Sequence, residues 1–290
     1  MQTVVIARQP EPSAVRLSRR QLLLRTVGVA VGIRVLGQAK KVRAQAPGIV
    51  YTGNNLRDWT LTVGDGVYAA PGEAPITLAD IETLHYKAHS ELRANLARRS
   101  IMVHNLMYKK IIDPSALDYL HVASYEFRLP FIPTKGNHDL NAQTLEGGLS
   151  LWEGVTARLN YNVAFQWILN PYGDFGAIRV WTGTDGAPWH AAGSLPVDTA
   201  WHRVQFMLDY QRQSASLAID DQAYAAVFAV HTGTAAWGHD ISATTGAEII
   251  SIFPGSAVPG ALHIAEFRDW RWEWTPSAHS HTFLPFIAHN

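Results

Sequence analysis

Short runs of alternating polar and apolar residues recur along this chain, and they limit its fold more than any other feature. The clearest runs cover residues 125–129, 161–169, 177–181, 202–208 and 262–274. A period of two places successive side chains on opposite faces of a strand, so each run predicts a strand with one buried and one solvated face. Turn-forming Gly, Asn, Asp and Pro residues separate the runs. This order indicates a sandwich or barrel and not a fold of alternating strands and helices.

Helical patterns are few. The candidates for short helices are residues 78–84 and 91–98. After residue 46 there is no internal repeat, low-complexity linker or charge block, which favours one domain over residues 47–274 followed by a Pro- and His-rich tail over residues 275–290. We therefore predict an all-β, two-sheet antiparallel sandwich with few short helices.

The N-terminal 46 residues differ in charge from the rest of the chain. Nine of the 24 basic residues and one of the 24 acidic residues lie there, which leaves 15 bases against 23 acids in the remainder. Nucleic acid binding needs basic surface to meet phosphates. The acidic body therefore argues against a nucleic acid partner.

The same segment has the parts of an export signal. Residues 18–23 read Ser-Arg-Arg-Gln-Leu-Leu, an apolar run follows over residues 22–36, and residues 44–46 read Ala-Gln-Ala. Together they resemble a twin-arginine signal peptide. Arg25 and Arg34 interrupt the apolar run, which is shorter than the roughly 20 residues that span a bilayer. We expect a cleaved leader, no membrane span in the mature protein, and a periplasmic, extracellular or cell-surface location. A basic amphipathic helix that stays attached is the alternative.

Two segments carry a resemblance to a known superfamily. Residues 198–206 read Asp-Thr-Ala-Trp-His-Arg-Val-Gln-Phe, and residues 216–221 read Ser-Leu-Ala-Ile-Asp-Asp. They resemble the paired strands of laminin G-like modules, in the concanavalin A-like jelly-roll superfamily, and residues 263–270 are similar to the closing strand of such modules. The resemblance implies a fold and no chemistry. We expect Trp201 to pack in the core and His202 to make a buried hydrogen bond.

The candidate ligand is a carbohydrate or polysaccharide. Strand alternation suggests that several polar side chains line one groove. Trp rings beside Gly-rich turns could stack on the faces of sugar rings. The predicted ligand-binding residues are Glu126, Arg128, Asn160, Asn162, Gln166, Arg179, Trp181 and Trp189. We expect a glycan-binding module and assign no catalytic residue.

An enzyme acting in the same groove is the main alternative. Laminarinase-type hydrolases on this fold carry Glu-x-Asp-x-Glu, which this chain lacks. A polysaccharide lyase needs an arginine or amide to neutralise a uronate and a base such as His138 or Tyr172. A sandwich that docks another protein is a third alternative.

Metal binding is left open. The chain has no cysteine, so disulfides and thiolate metal sites are excluded. Calcium is one candidate because laminin G-like modules hold it with loop oxygens. Two histidine pairs, His231 with His239 and His279 with His281, lack a third ligand at a diagnostic spacing. The calcium candidates are Asp139, Asn141, Asp185, Asp220 and Asp221.

Overall fold

A computed structural model of the 290-residue chain describes residues 48–54, 56–64, 81–95, 102–136, 143–152, 159–183, 189–227, 241–252 and 262–277. These residues form fifteen strands and one short 3-10 helix, Pro114–Asp118. The carboxylate of Asp113 caps this helix by accepting a hydrogen bond from the backbone N–H of Ser115 at 2.8 Å. None of the described residues form a helix with the length and hydropathy that a bilayer crossing requires.

The first sheet has eight strands, all paired antiparallel. They are β1 (Gly48–Gly53), β3 (Ile81–His85), β4 (Ser90–Asn95), β6 (Tyr119–Arg128), β11 (His202–Asp209), β12 (Ser214–Ile219), β13 (Gln222–Val227) and β15 (Leu262–Pro276). Their order is β13-β12-β11-β6-β15-β4-β3, and β1 also pairs with β15. The long strands β6 and β15 therefore lie at the centre of this sheet.

The second sheet has seven strands, also antiparallel. They are β2 (Thr60–Gly64), β5 (Met102–Ile112), β7 (Gln143–Trp152), β8 (Leu159–Ile168), β9 (Ala177–Gly183), β10 (His190–Ser194) and β14 (Ser242–Ile252). Their order is β10-β9-β8-β7-β14-β5-β2. The two-sheet antiparallel jelly-roll sandwich predicted from the sequence is confirmed.

Aromatic side chains from both sheets fill the space between them. Tyr125 and Phe127 of β6 are buried, as are Phe165 and Trp167 of β8. The Phe127 and Phe165 rings stack across the interface with centroids 5.4 Å apart, and the Tyr125 ring stacks on Trp270 at 3.9 Å. Period-two alternation thus places one face of each central strand in the core.

Gly147 of β7 leaves room for a ring from the opposite sheet. A Cβ atom at this position would lie 1.8 Å from the hydroxyl oxygen of Tyr125 and 3.0 Å from Cε1 of Phe165. Only a residue without a side chain fits there. Burial also raises the pKa of the Tyr125 hydroxyl well above its usual value.

The predicted strands are confirmed, and the predicted helices are wrong. The described part of residues 78–84 lies in β3, and Ser90–Asn95 is β4. Glu91 and Arg93 face outward while Leu92 is fully buried, which is strand periodicity. The helix-forming residue types of this segment were overridden by pairing with β15.

Other predictions fall partly or wholly outside the described residues. The leader lies outside them, and so do His138 and both histidine pairs. Of the predicted tail, residues 275 and 276 continue β15, and residues from 278 onward lie outside the described part. Among the calcium candidates, only Asp220 and Asp221 are described.

Candidate functional site

Three neighbouring strands each carry a Glu-x-Arg triplet on the outer face of the eight-stranded sheet. The middle residues Leu92, Phe127 and Phe267 point into the core and are fully buried. Alternation therefore sends the flanking glutamates and arginines outward. The triplets are residues 91–93 of β4, 126–128 of β6 and 266–268 of β15.

The antiparallel register turns these triplets into ion pairs. Glu266 lies opposite Arg128, and Arg268 lies opposite Glu126. The Arg268 Nε donates to Glu126 Oε2 at 2.5 Å, and the Arg128 Nε donates to Glu266 Oε2. The carboxylate side chain of Glu266 is only 8% exposed, whereas the arginines are about one-third exposed. These contacts hold the polar side chains in fixed positions before any ligand arrives.

Trp201 lies on top of this charged surface. Its ring centroid is 4.2 Å from Cζ of Arg268 and 4.6 Å from Cζ of Arg128. Both guanidinium groups come from the sheet on which the ring rests, and a cation over an indole face is a favourable contact. The expectation that Trp201 packs in the core is wrong, because it directly precedes the inward-pointing His202 and so faces outward.

His202 fixes the backbone at Trp201. It is 5% exposed, and its Nδ1 lies 2.7 Å from Asp220 Oδ2 while its Nε2 lies 3.1 Å from Asp198 Oδ1. Asp220 Oδ1 also accepts from the backbone N–H of Arg203 at 2.8 Å. The expected buried hydrogen bond is thus confirmed. Asp220 and Asp221 form the tight turn between β12 and β13, with φ of 49° and 63°.

An aromatic rim borders the site at the β3–β4 hairpin. The backbone N–H of Tyr86 donates to the carbonyl of His89 at 2.8 Å, which closes the turn. The Tyr86 and His89 rings stack with centroids 4.6 Å apart, and His89 meets the edge of Trp201 at 6.3 Å. Tyr86 is 45% exposed. We call this outer surface the Trp201 face; it consists of Tyr86, His89, Glu91, Arg93, Glu126, Arg128, Trp201, Glu266 and Arg268.

The structure divides the predicted groove between two surfaces. Glu126 and Arg128 lie on the Trp201 face, but Gln166 and Arg179 lie on the outer face of the seven-stranded sheet. Alternation identifies which side chains of a strand share a face, but it does not identify the sheet to which the strand belongs. The prediction that these residues line a single groove is therefore wrong. That they bind a ligand stays a prediction.

The polar residues on the seven-stranded sheet pair with one another. Gln166 Nε2 donates to Glu146 Oε2 at 2.8 Å, and Arg179 Nη2 donates to Asp174 Oδ2 at 2.8 Å. Asn162 is 2% exposed, and its Oδ1 accepts from Ser150. Asn160 lies in β8, and its side chain is outside the described set.

The two predicted stacking tryptophans also lie on this second sheet. Trp181 is 5% exposed, and its ring lies 6.0 Å from that of the half-buried Trp189 at a tilt of 42°. A ring so deeply buried offers little surface to a sugar in this arrangement. Trp201 is less buried than Trp181.

Sequence reasoning assigned Trp201 to the core and missed six other members of the Trp201 face: Tyr86, His89, Glu91, Arg93, Glu266 and Arg268. One signal could have found four of them. The triplet Glu-Leu-Arg occurs at residues 91–93, and Glu-Phe-Arg occurs twice, at residues 126–128 and 266–268. Repeated opposite charges around a buried residue indicate cross-strand ion pairs.

No protein-family model matches the sequence, and no curated protein matches it. Solved structures are similar in fold. A sialidase is 11% identical with a TM-score of 0.40 over 77% of this chain, which spans only 17% of that chain. A Bacillus subtilis protein of unknown function with a galectin-like fold is 11% identical with a TM-score of 0.45, covering 81% of this chain and 100% of that one.

A carbohydrate-binding module is similar as well. The CBM2 module of the evolved Dit protein of Lactobacillus casei BL23 phage J-1 is 12% identical with a TM-score of 0.48, covering 81% of this chain and 99% of that one. Because all three TM-scores are below 0.5, these similarities carry no argument about what the chain binds. The sandwich architecture rests on the strand pairing of the chain itself.

Proposed function

We propose that this protein binds a glycan on the Trp201 face. The observation that carries the proposal is the half-buried Trp201 ring held over the guanidinium groups of Arg128 and Arg268. A sugar ring has an apolar face that stacks on an indole and hydroxyls that bond to charged neighbours. The proposed ligand stacks on the part of the indole that the arginines leave exposed.

The polar surroundings of Trp201 support this proposal. The carboxylates of Glu126 and Glu266 accept hydrogen bonds, and the partly exposed arginines donate them. Existing ion pairs hold these groups in place, which lowers the entropy lost on binding. The surface crosses the four adjacent strands β4, β15, β6 and β11. At the usual strand spacing this is about 14 Å, enough for a short oligosaccharide.

Glycan retention by the full chain and two tryptophan variants tests the proposal. On a panel of neutral and acidic polysaccharides, Trp201→Ala should weaken retention about tenfold, the amount expected for losing one stacked ring. Trp189→Ala is the matched control, because Trp189 is also half-buried but lies at the other sheet. Equal retention by the Trp201→Ala variant and the unmodified chain would overturn the proposal.

One observation favours a catalytic alternative on the same face. The Glu91 and Glu266 carboxylates have oxygen atoms within 4.8 Å of each other. Retaining glycosidases place two carboxyl groups about 5 to 5.5 Å apart. In the present arrangement each carboxylate has one oxygen bound to an arginine, Glu91 to Arg93 and Glu266 to Arg128. Cleavage of a glycosidic bond needs one carboxyl group of the pair to donate a proton, and here an arginine is bound to each, so binding without cleavage is the better-supported function.

Product analysis separates the two functions. Binding alone leaves the polysaccharide intact, whereas a hydrolase releases reducing ends and a lyase releases unsaturated ends. If new ends appear with the unmodified chain and disappear with Glu266→Gln, the protein is an enzyme. Intact polymer together with retention that depends on Trp201 supports the binding function.

We also propose that the chain is exported, on the strength of the leader motif alone. Replacing Arg19 and Arg20 by Lys removes the paired arginines of residues 18–23. The precursor should then accumulate in the cytoplasm, as measured by fractionation and immunoblotting. Export of the doubly substituted precursor at the normal rate would argue against the twin-arginine route.

A further inference from the structure

Three metal-ligating side chains converge at one end of the Trp201 face. One ligand atom from each of His89, Glu91 and Glu266 lies within 4.8 Å of the other two. Glu91 and Glu266 are directly opposite each other on β4 and β15, and His89 precedes Glu91 by two positions. The register places Glu91 and Glu266 on the same side of the sheet, and the distance of 3.5 Å from His89 Nε2 to Glu91 Oε1 puts His89 there as well.

The arginines bind only one side of this group. Arg93 Nη2 lies 2.6 Å from Glu91 Oε2, and Arg128 Nε contacts Glu266 Oε2. The other oxygen of Glu91, Oε1, lies 3.5 Å from His89 Nε2. An arginine that binds one carboxylate oxygen leaves the other oxygen for a metal ion, and such outer contacts orient metal ligands.

The spacing fits a small divalent ion. Two ligands bound tetrahedrally to Zn²⁺ at about 2.0 to 2.1 Å lie roughly 3.3 Å from each other. The separation of 3.5 Å between His89 Nε2 and Glu91 Oε1 is close to this value. Since all three ligand atoms lie within 4.8 Å of one another, no pair must close by more than about 1.5 Å, a movement that flexible glutamate side chains allow.

The types of donor atom in this group favour some metal ions over others. Calcium takes six to eight oxygen ligands, whereas Zn²⁺ accepts one imidazole nitrogen and carboxylate oxygens in a four-coordinate site. The burial of the two carboxylates also supports a metal site, since the Glu266 and Glu91 side chains are only 8% and 10% exposed. So little exposure limits the competition of water for the ligand oxygens.

We propose that His89, Glu91 and Glu266 bind a divalent transition metal ion of the Zn²⁺ class, with the fourth coordination position open on the Trp201 face. This site requires protein ligands only and is independent of the proposed glycan function. Because Arg93 and Arg128 already balance the two carboxylates, the ion leaves a net positive charge. The open position therefore favours an anionic ligand such as hydroxide or a sugar carboxylate.

Titration of the full chain with Zn²⁺ alone, after EDTA treatment and without glycan, tests the proposal by calorimetry. One Zn²⁺ per chain should bind, and Co²⁺ in its place should give the visible absorption of a four-coordinate ion. His89→Gln should lower the Zn²⁺ affinity at least about tenfold. It is the primary variant because His89 lies in a hairpin turn and its loss leaves both glutamate–arginine pairs in place.

Matched controls separate this site from adventitious binding. Glu266→Gln should lower the affinity as His89→Gln does, whereas Glu273→Gln, on the outer face of the same strand, should not. His190→Gln controls for an exposed histidine on the other sheet. Zn²⁺ should also raise the melting temperature of the unmodified chain and not that of His89→Gln.

Two results would overturn the metal proposal: Zn²⁺ binding unchanged by His89→Gln, or Ca²⁺ binding as tightly as Zn²⁺. Glycan retention measured in EDTA keeps the two proposals apart. If Zn²⁺ fails to bind while retention still depends on Trp201, only the metal proposal fails. If Zn²⁺ binds at His89 and no glycan is retained with or without the ion, only the glycan proposal fails.

Discussion

The interior of the sandwich and the Trp201 face are built from the same strands but hold their aromatic rings by different forces. In β6, Tyr125 and Phe127 point inward among other rings, and Glu126 and Arg128 point outward into ion pairs. Trp272 of β15 is 1% exposed in the core, whereas Trp201 is half-buried on two guanidinium groups. Adjacent residues of one strand therefore belong in turn to the core and to the polar surface. Substitutions at neighbouring positions should have very different effects on stability.

Phe127→Ala should cause one of the largest losses of stability. Phe127 is fully buried and stacks on Phe165, so truncation leaves a cavity and should cost about 3 to 5 kcal/mol of unfolding free energy. Glu126→Gln, one position away on the outer face, should cost less than about 1 kcal/mol. Urea denaturation measures both. Similar losses for the two variants would break the proposed division between interior and surface.

Acid should destabilise the interior through two buried histidines. Burial lowers the pKa of His121 to about 4 and that of His263 to about 3. Unfolding restores a value near 6.5, so the unfolded state binds more protons and stability falls as pH decreases from about 6.5 toward 4. The loss should reach about 2 kcal/mol per histidine by pH 5.

Unfolding free energies from pH 7.5 to 5 measure this effect, with His121→Gln as the comparison. This variant removes one of the two titrating groups, so its stability should depend less steeply on pH. A pH dependence as steep as that of the unmodified chain would assign the acid sensitivity to other groups.

Gly147→Ala should cost about 1 to 3 kcal/mol through overpacking. The added Cβ atom would lie 1.8 Å from the Tyr125 hydroxyl oxygen, so one sheet must shift away from the other. In a Tyr125→Phe background that oxygen is absent, and the nearest remaining atom is Cε1 of Phe165 at 3.0 Å. Thermal unfolding should show a smaller penalty there, and an unchanged penalty would contradict this account of the close approach.

Two tryptophans should give the most direct contrast between a surface ring and a core ring. Trp201→Ala removes cation–π contacts at a partly exposed site, worth about 1 kcal/mol, while Trp272→Ala opens the core and should cost about 3 to 5 kcal/mol. Denaturation midpoints of the two variants provide the measurement. A loss at Trp201 as large as that at Trp272 would place Trp201 among the structural residues.

Much of the fold could be predicted from the sequence, because the sequences of strands β6, β8, β9, β11 and β15 alternate clearly between polar and apolar residues. Strand β4 was missed since residues 91–93 are of helix-forming types, and pairing with its neighbours β3 and β15 determines its conformation. The inward orientation of His202 and the β11–β12 hairpin were predictable from the residues 198–221.

The candidate site could be predicted only in part. Glu126 and Arg128 were identified, but their partners Glu266 and Arg268 are about 140 positions away in the chain. Alternation gives the face of each strand, and the order of strands in the sheets decides which faces meet. This is also why Gln166 and Arg179 were assigned to the same groove although they lie on the other sheet.

The most direct test of the account is a crystal structure of the full chain bound to an oligosaccharide from a polymer that it retains. A sugar ring should stack on the exposed part of Trp201, with hydroxyl groups bonded to side chains among Glu126, Arg128, Glu266 and Arg268. A sugar bound at Trp181 and Trp189 on the seven-stranded sheet, with the Trp201 face empty, would contradict it.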